Sequence, residues 1–246
     1  MRLRSMKKIL VIGGDGYLGW PTAMHLSKKN YKVHLIDNFS KRNIENENGI
    51  KPLFQIETLK NRVNAWNKLN QKKNKITFSF GDLLNHRFIY DELKKFKPNH
   101  IIHYGEQPSA PYSMAGRHQA EFTLRNNVIG NLNLIFGIKK YCPNTHIIKL
   151  GTMGSYGTPN IDIEEGFLKV SHKGRKDIMQ YPFKPHSFYH CSKSADSINI
   201  YFACRTWGLR STDLNQGVVY GVDTPETILS DTFNTSFHYD HIFGTV

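Results

Sequence analysis

The sequence is short of cysteine: Cys142, Cys191 and Cys204 are the only three in 246 residues. An odd count with no close pair excludes a disulfide framework and a cysteine-based zinc site. The three are expected to be reduced and buried, and no metal is expected. No run approaches the roughly 18 apolar residues of a membrane helix. Only six residues, 1–6, precede the first apolar run, fewer than the roughly 15 a signal or transit peptide needs, so the expected location is the cytoplasm. Acidic residues are scarce near the start: residues 1–75 hold 16 Lys/Arg against 5 Asp/Glu, and they carry most of the formal net charge of +13. Lysine runs such as Lys72, Lys73 and Lys75 read as solvated surface. Without aromatic residues interleaved in a recognised module, the surplus does not read as a nucleic-acid interface.

What is present is a globular composition, with a hydrophobic fraction of 39%, 12 Tyr and 15 Phe, on a chain long enough to bury a core. Short apolar runs at 7–12, 32–36, 76–80, 100–104, 146–150 and 210–214 alternate with segments of helical spacing. That pattern belongs to an α/β fold, a doubly wound parallel sheet covered on both faces by crossover helices. Helices are expected over 17–29, 87–96, 117–141 and 188–207. In the third, Leu124, Val128, Leu132, Ile135 and Phe136 form the apolar stripe expected to pack on the sheet. Residues 40–75 are polar, basic and Asn-rich, and read as an insertion holding one short helix near 58–69. The domain expectation is a dinucleotide-binding unit over 1–222, followed by the start of a smaller lobe over 223–246.

Gly13-Gly14-Asp15-Gly16-Tyr17-Leu18-Gly19 follows the first strand and opens the first helix, the setting a dinucleotide loop requires. Gly13 suits the tight turn, Gly16 lets backbone N–H groups approach a pyrophosphate, and Gly19 permits close packing of helix on strand. The helix N-terminus adds partial positive charge. Asp37, at the end of the next strand, is placed to accept from both ribose hydroxyls and to repel a 2′-phosphate, which favours NAD over NADP. Lys41 and Arg42 weaken that preference, because a cation there could bind the extra phosphate.

Tyr189 and Lys193 are one helical turn apart on one face. A phenol is a poor base at neutral pH; a neighbouring ammonium and the positive nicotinamide would stabilise the phenolate and let Tyr189 take a proton from a sugar hydroxyl. Thr152 lies just past the strand ending at 150, at the carboxyl edge where open parallel sheets bind ligands, and its hydroxyl can hold the same oxygen. The order loop, Thr, Tyr, Lys resembles that of the extended short-chain dehydrogenases that act on nucleotide sugars.

Within that branch the chain is most similar to the UDP-sulfoquinovose synthase family, through GGDGYLGW (13–20), GEQPSAPYSM (105–114), NNVIGNLN (126–133), KLGTMGSYGTPNIDIEEG (149–166), SFYHCSK (187–193) and DLNQGVVYG (213–221). The resemblance implies that Asp82 and Leu83 flank the adenine, that Gly105 and Glu106 line the coenzyme and that Asn127 helps hold it. Tyr17, Leu18, Asn38, Arg42, Val219, Tyr189 and Lys193 complete the implied coenzyme contacts. Gln107, Thr152, Met153 and Gln216 would face the substrate. It also implies UDP-glucose and sulfite, or a sulfite donor, as substrates, and a homodimer paired through the long helices. Sugar 4,6-dehydratases resemble Thr-Asp-Glu at the threonine; Thr152-Met153-Gly154 lacks that acid pair, and Glu164 and Glu165 are the nearby carboxylates that could replace it.

Two departures stand out. Pro108 occupies the place of an arginine in the synthase pattern and cannot replace its donors. The family also continues past 246 into a lobe that grips the uridine diphosphate, so the chain reads as C-terminally truncated. Alternative readings are another nucleotide-sugar epimerase or dehydratase, and a catalytically silent NAD-binding fragment.

Overall fold

The fold was obtained as a computed structural model, which describes residues 7–70 and 75–243; the expectations for 1–6, for Lys72 and Lys73 and for the last three residues lie outside them. The aliphatic run Lys8–Ile12 forms β1, and Lys32–Asp37 forms β2. Thr77–Phe80, His100–His103, His146–Leu150 and Arg210–Leu214 form β3, β4, β5 and β8. These six strands make one parallel sheet in the order β3-β2-β1-β4-β5-β8. The strand order reverses between β1 and β4, which opens a crevice at their carboxyl ends. The α/β fold class is therefore as expected.

Helices cover both faces of the sheet. On one side α1 (Gly19–Lys28) and α3 (Leu59–Leu69) bury Trp20, Met24, Val63 and Trp66 against Ile9, Val11, Val33 and Leu35. On the other, α4 (His86–Phe96), α7 (Gly130–Tyr141) and α8 (Phe188–Trp207) bury Ile89, Leu93, Leu134, Ile138 and Ile200 against Leu10, Ile12, Ile101 and Ile147. Side chains at Thr58, Asn85 and Ser187 cap α3, α4 and α8 by accepting a backbone N–H of the first turn. Gly208, at φ +69°, ends α8.

The insertion holds a second helix that its polar composition hides, α2 (Ser40–Glu47). Residues 168–179, with no expected element, form an antiparallel hairpin of β6 (Leu168–His172) and β7 (Arg175–Met179). Its turn residues Lys173 and Gly174 both have positive φ, as a two-residue hairpin turn demands.

The expected apolar stripe of the long helix needs correction. α5 (Ala110–Met114) leads into α6 (Arg117–Leu124), which joins α7 through a π-turn over Arg125–Ile129. The wider turn rotates α7 relative to α6, so Asn126, Asn127 and Asn131 face inward while Phe136 is exposed. Leu124, Val128 and Leu132 are half-buried, and only Ile135 of the stripe is fully buried. Of the three free cysteines only Cys142 is buried; Cys191 and Cys204 are half-buried. Finally, residues 223–243 pack back on the first half of the chain, with Phe233 against Trp20 and Trp66.

Candidate active site

A cleft of about 530 Å³ lies along the carboxyl ends of β1, β2, β4 and β5, within the usual size of a small-molecule site. Its floor at one end is the glycine loop. Gly13 has φ +81°, and a Cβ there would come within 2.7 Å of the Tyr104 backbone. At Gly19 a Cβ would overlap the Gly13 carbonyl oxygen, whereas at Gly16 it would meet nothing nearer than 3.4 Å. The loop is thus closed towards the protein and open towards the cleft, the shape a pyrophosphate needs.

Asp37 stands at the end of β2, its two carboxylate oxygens accepting from the Asp15 and Phe39 N–H groups at 2.8 Å each. Burial, together with the charge of Asp15, pushes Asp37 up to about 6. Arg42 is committed to Asp15 through two hydrogen bonds of 2.6 and 3.1 Å. Arg62 meets the same carboxylate at 2.6 Å from a fully buried position over the Trp20 ring. Arg62 was not singled out from sequence, although it shares the apolar stripe of Leu59, Val63 and Trp66. A charge on such a face signals a buried partner.

The remaining expected coenzyme residues divide in two. Tyr17, Leu18, Asn38, Leu83, Gly105, Glu106 and Val219 line the cleft. Asp82 lies behind it, accepting from Asn38 at 2.9 Å and from the Leu84 N–H at 2.7 Å. Asn127 is a buried strut: it accepts from the Gln107 N–H at 2.8 Å and donates to Ser192 at 2.9 Å, while its neighbour Asn126 reaches the cleft.

At the other end Thr152, Met153, Gly154, Tyr189, His190 and Gln216 converge. The Tyr189 phenol and Thr152 line this end together; burial raises the phenol above its ordinary value, Lys193 and Thr152 oppose that rise, and Glu106 reinforces it. The Lys193 ammonium lies 5.7 Å from the Tyr189 ring centre. It is withdrawn behind the phenol, donating to the Leu150 carbonyl at 2.6 Å and paired with Glu106. Gln107 borders the cleft, but its amide donates to Thr123 at 2.7 Å and to the Ser109 carbonyl at 3.0 Å. Pro108 also borders it.

A Cβ on Gly154 would overlap the His190 imidazole, so an acid at 154 would require that ring to move. His190, absent from the expected set, thus fills the space beside Gly154. Its ring shares a hydrogen bond of 2.9 Å with the Ser187 hydroxyl, and burial lowers its proton affinity. Its position directly after Tyr189 was the available signal. Glu164 and Glu165 are exposed and do not border the cleft.

Residues 9–238 match the NAD dependent epimerase/dehydratase family, and the chain belongs to it. Among characterised relatives, a UDP-sulfoquinovose synthase described as chloroplastic, from Spinacia oleracea, is 50% identical over 97% of this chain and 49% of its own length. A UDP-sulfoquinovose synthase from Sulfolobus acidocaldarius is 40% identical over 97% of this chain and 60% of its own. The chain therefore spans about half to three-fifths of the length of these relatives. In three dimensions it resembles a UDP-glucose 4-epimerase of Thermus thermophilus solved with NAD, with a TM-score of 0.61 at 22% identity, covering 88% of this chain and 57% of that one. A Thermotoga maritima UDP-glucose 4-epimerase solved with UDP-glucose gives 0.62 at 20%, covering 87% and 57%. At such identities the likeness concerns the fold.

The cleft fits the coenzyme of the family name. It has a glycine loop open to the cleft at Gly16, a carboxylate, Asp37, at the end of β2, and a phenol at the far end with an amine behind it. No described helix is long and apolar enough to cross a membrane.

Proposed function

We propose that the protein carries out the chemistry of a UDP-sulfoquinovose synthase, converting UDP-glucose and sulfite to UDP-sulfoquinovose. The observation that supports this above others is the reacting end of the cleft. Tyr189, Thr152 and Lys193 form the set needed to oxidise a sugar hydroxyl, while the acid pair of ordinary dehydratases is replaced by Met153 and Gly154 with His190 beside Gly154. The 50% identity to the spinach protein supports the same substrate class.

NAD, when bound, supplies a reversible store for one hydride, so it leaves turnover unchanged. Gly13, Gly16 and Gly19 would hold its pyrophosphate and Asp37 its adenosine ribose, with Tyr17, Leu18, Asn38, Leu83, Gly105 and Val219 along its length. Thr152 positions the hydroxyl on carbon 4 of the glucose, and Tyr189 takes its proton. The ketone formed there acidifies the hydrogen on carbon 5; its loss together with the carbon 6 hydroxyl releases one water and leaves a carbon 5–carbon 6 double bond conjugated to the ketone. Sulfite adds at carbon 6 as a proton returns to carbon 5, and once the stored hydride is back on carbon 4 Tyr189 returns its proton to the carbon 4 oxygen. Gln107, Met153 and Gln216 lie where the sugar would stand. Pro108 offers no donor to an anion, so sulfite recognition would fall to other groups.

In the same proposal residues 1–222 form the dinucleotide-binding unit and 223–246 begin a substrate lobe, the protein acts in the cytoplasm, and two copies pair through the long helices. Incubating the purified protein with UDP-glucose and sulfite should yield UDP-sulfoquinovose; clean conversion to UDP-galactose would overturn the assignment.

A further inference from the structure

Beneath Tyr189 lies a buried group of charges of which the proposed reaction uses only Lys193. Lys193 and Glu106 are each almost wholly inaccessible and paired with one another. Lys193 also donates to the Leu150 carbonyl. His103, on β4, approaches Glu106 at 3.4 Å. Asp196, three residues along α8 from Lys193, accepts from Asn131 at 3.2 Å. Lys149, on β5, faces Asp213 at 3.5 Å. Every element packed around the ammonium thus brings a titratable group: His103 and Glu106 from β4 and its loop, Lys149 from β5, Tyr189 and Asp196 from α8, and Asp213 from β8.

The geometry selects one of these as the partner that matters. Among these carboxylates only Glu106 both borders the cleft and contacts Lys193, whose ammonium lies 5.7 Å from the Tyr189 ring centre. We propose that Glu106 is the positioning residue for Lys193: its carboxylate anchors the ammonium behind Tyr189 and offsets the positive charge that the phenol feels. The phenol then keeps its proton in the free protein and gives it up only when further positive charge enters the cleft. The states of the neighbours fit this. Burial pushes His103 down to about 4 and, with Glu106, pushes Asp196 up to about 8, so both are neutral near pH 7. Glu106 is held in its ionised form by Lys193 despite burial. This rests on reading Tyr189 as the proton acceptor, and it gives Glu106, expected from sequence to line the coenzyme, a role exerted through Lys193.

The test is a phenol titration of the whole chain without coenzyme or sugar, followed by ultraviolet absorbance as the difference between each protein and its Tyr189→Phe counterpart. A failed sugar assay therefore leaves it standing. Glu106→Gln keeps the shape and removes the charge. The Tyr189 midpoint should fall by about one pH unit, a tenfold gain in phenolate at fixed pH. Glu106→Gln/Lys193→Met, which removes both charges, should place the midpoint above that of Glu106→Gln, and should melt higher because it leaves no lone buried ion. Should Glu106→Gln fail to fold, Glu106→Asp, whose carboxylate is drawn back by one carbon, should give a smaller fall. An unchanged or raised midpoint in whichever single variant folds would overturn the proposal, since a purely structural carboxylate would leave the phenol where it was.

Discussion

Two aspartates and two arginines decide what the ribose end of the cleft can do. Asp15 takes both guanidinium groups, Arg42 and Arg62, while Asp37 is left with backbone N–H donors. Arg42, a cation that could have welcomed a 2′-phosphate, is thereby paired, and in the proposed reading Asp37 sets the coenzyme preference. Because its value in the folded chain, about 6, lies above the 3.8 of a free side chain, the folded state binds a proton more tightly than the unfolded state. Ionised Asp37 thus costs stability above pH 6, and this cost disappears as pH falls towards 4. Relative to Asp37→Asn, the wild type should gain stability from pH 7 to pH 5 in denaturant melts; a loss would contradict the burial argument. NAD affinity should move the opposite way, weakening as pH drops through 6, because a protonated carboxyl accepts fewer ribose bonds. At the other end, Tyr189→Phe should lower turnover roughly 10²–10⁴-fold while leaving NAD affinity within a factor of a few, read by calorimetry. Unchanged turnover would remove Tyr189 as the base.

At the scale of elements, the parts of the fold written in short-range pattern were legible and the parts set by long-range contacts were not. Aliphatic runs marked all six strands of the sheet to within a residue or so, and capped α8 matched its expected bounds because Ser187 and Gly208 close it chemically. The π-turn at 125–129 was invisible: it turns Asn127 towards Gln107 and Ser192, with Asn126 donating to Asn127, and no local apolar period encodes that. α2 was hidden for a related reason. Its polar surface carries Lys41 and Glu45, whose partners Ser236 and His238 lie almost two hundred residues away. Within the site, Tyr189, Lys193 and Thr152 could be read from spacing, whereas Arg62, Glu106's hold on Lys193 and His190's filling of the space beside Gly154 needed three dimensions. The contact between α2 and residues 236–240 also makes a prediction. Burial alone would raise the Glu45 carboxyl, but His238 and Lys41 outweigh it and hold it at about 2. Its contribution is therefore full above the ordinary carboxylate value and is lost as pH falls from there through 2. Amide exchange at Phe237, whose carbonyl also accepts from the Leu53 N–H at 2.8 Å, should accelerate over that window before exchange in β1. Glu45→Gln should show the faster exchange already at neutral pH. Simultaneous loss of protection in β1 would mean that the segment is not a separable unit.

At the scale of the whole molecule, the basic surplus of the first 75 residues is partly an internal matter, since Lys41, Arg42 and Arg62 all answer buried carboxylates beside the cleft. The surface has a different anomaly. On the outward side of α7 and α8, Phe136 and Phe202 both pack on Trp207, with ring centres 4.9 and 5.7 Å from it, and Ile198 stands one turn before Phe202 on α8. About half of Phe202 and of Ile198 is exposed. A contiguous aromatic patch of this kind on a helix pair is costly to leave in water, and two helices presenting the same face to a two-fold axis would bury it twice over in a self-complementary contact. The proposed homodimer places its axis there. Sedimentation of the wild type should give twice the mass of one chain, and Phe202→Glu should give the single mass with an unchanged helical spectrum, because the substitution sets a charge at the centre of the contact and replaces a half-exposed side chain. A wild type that sediments as one chain would remove the pairing. A Phe202→Glu protein that stays paired would move the axis to another face, leaving the exposed Ile228, Leu229 and Tyr220 as the next surface to test by the same substitution.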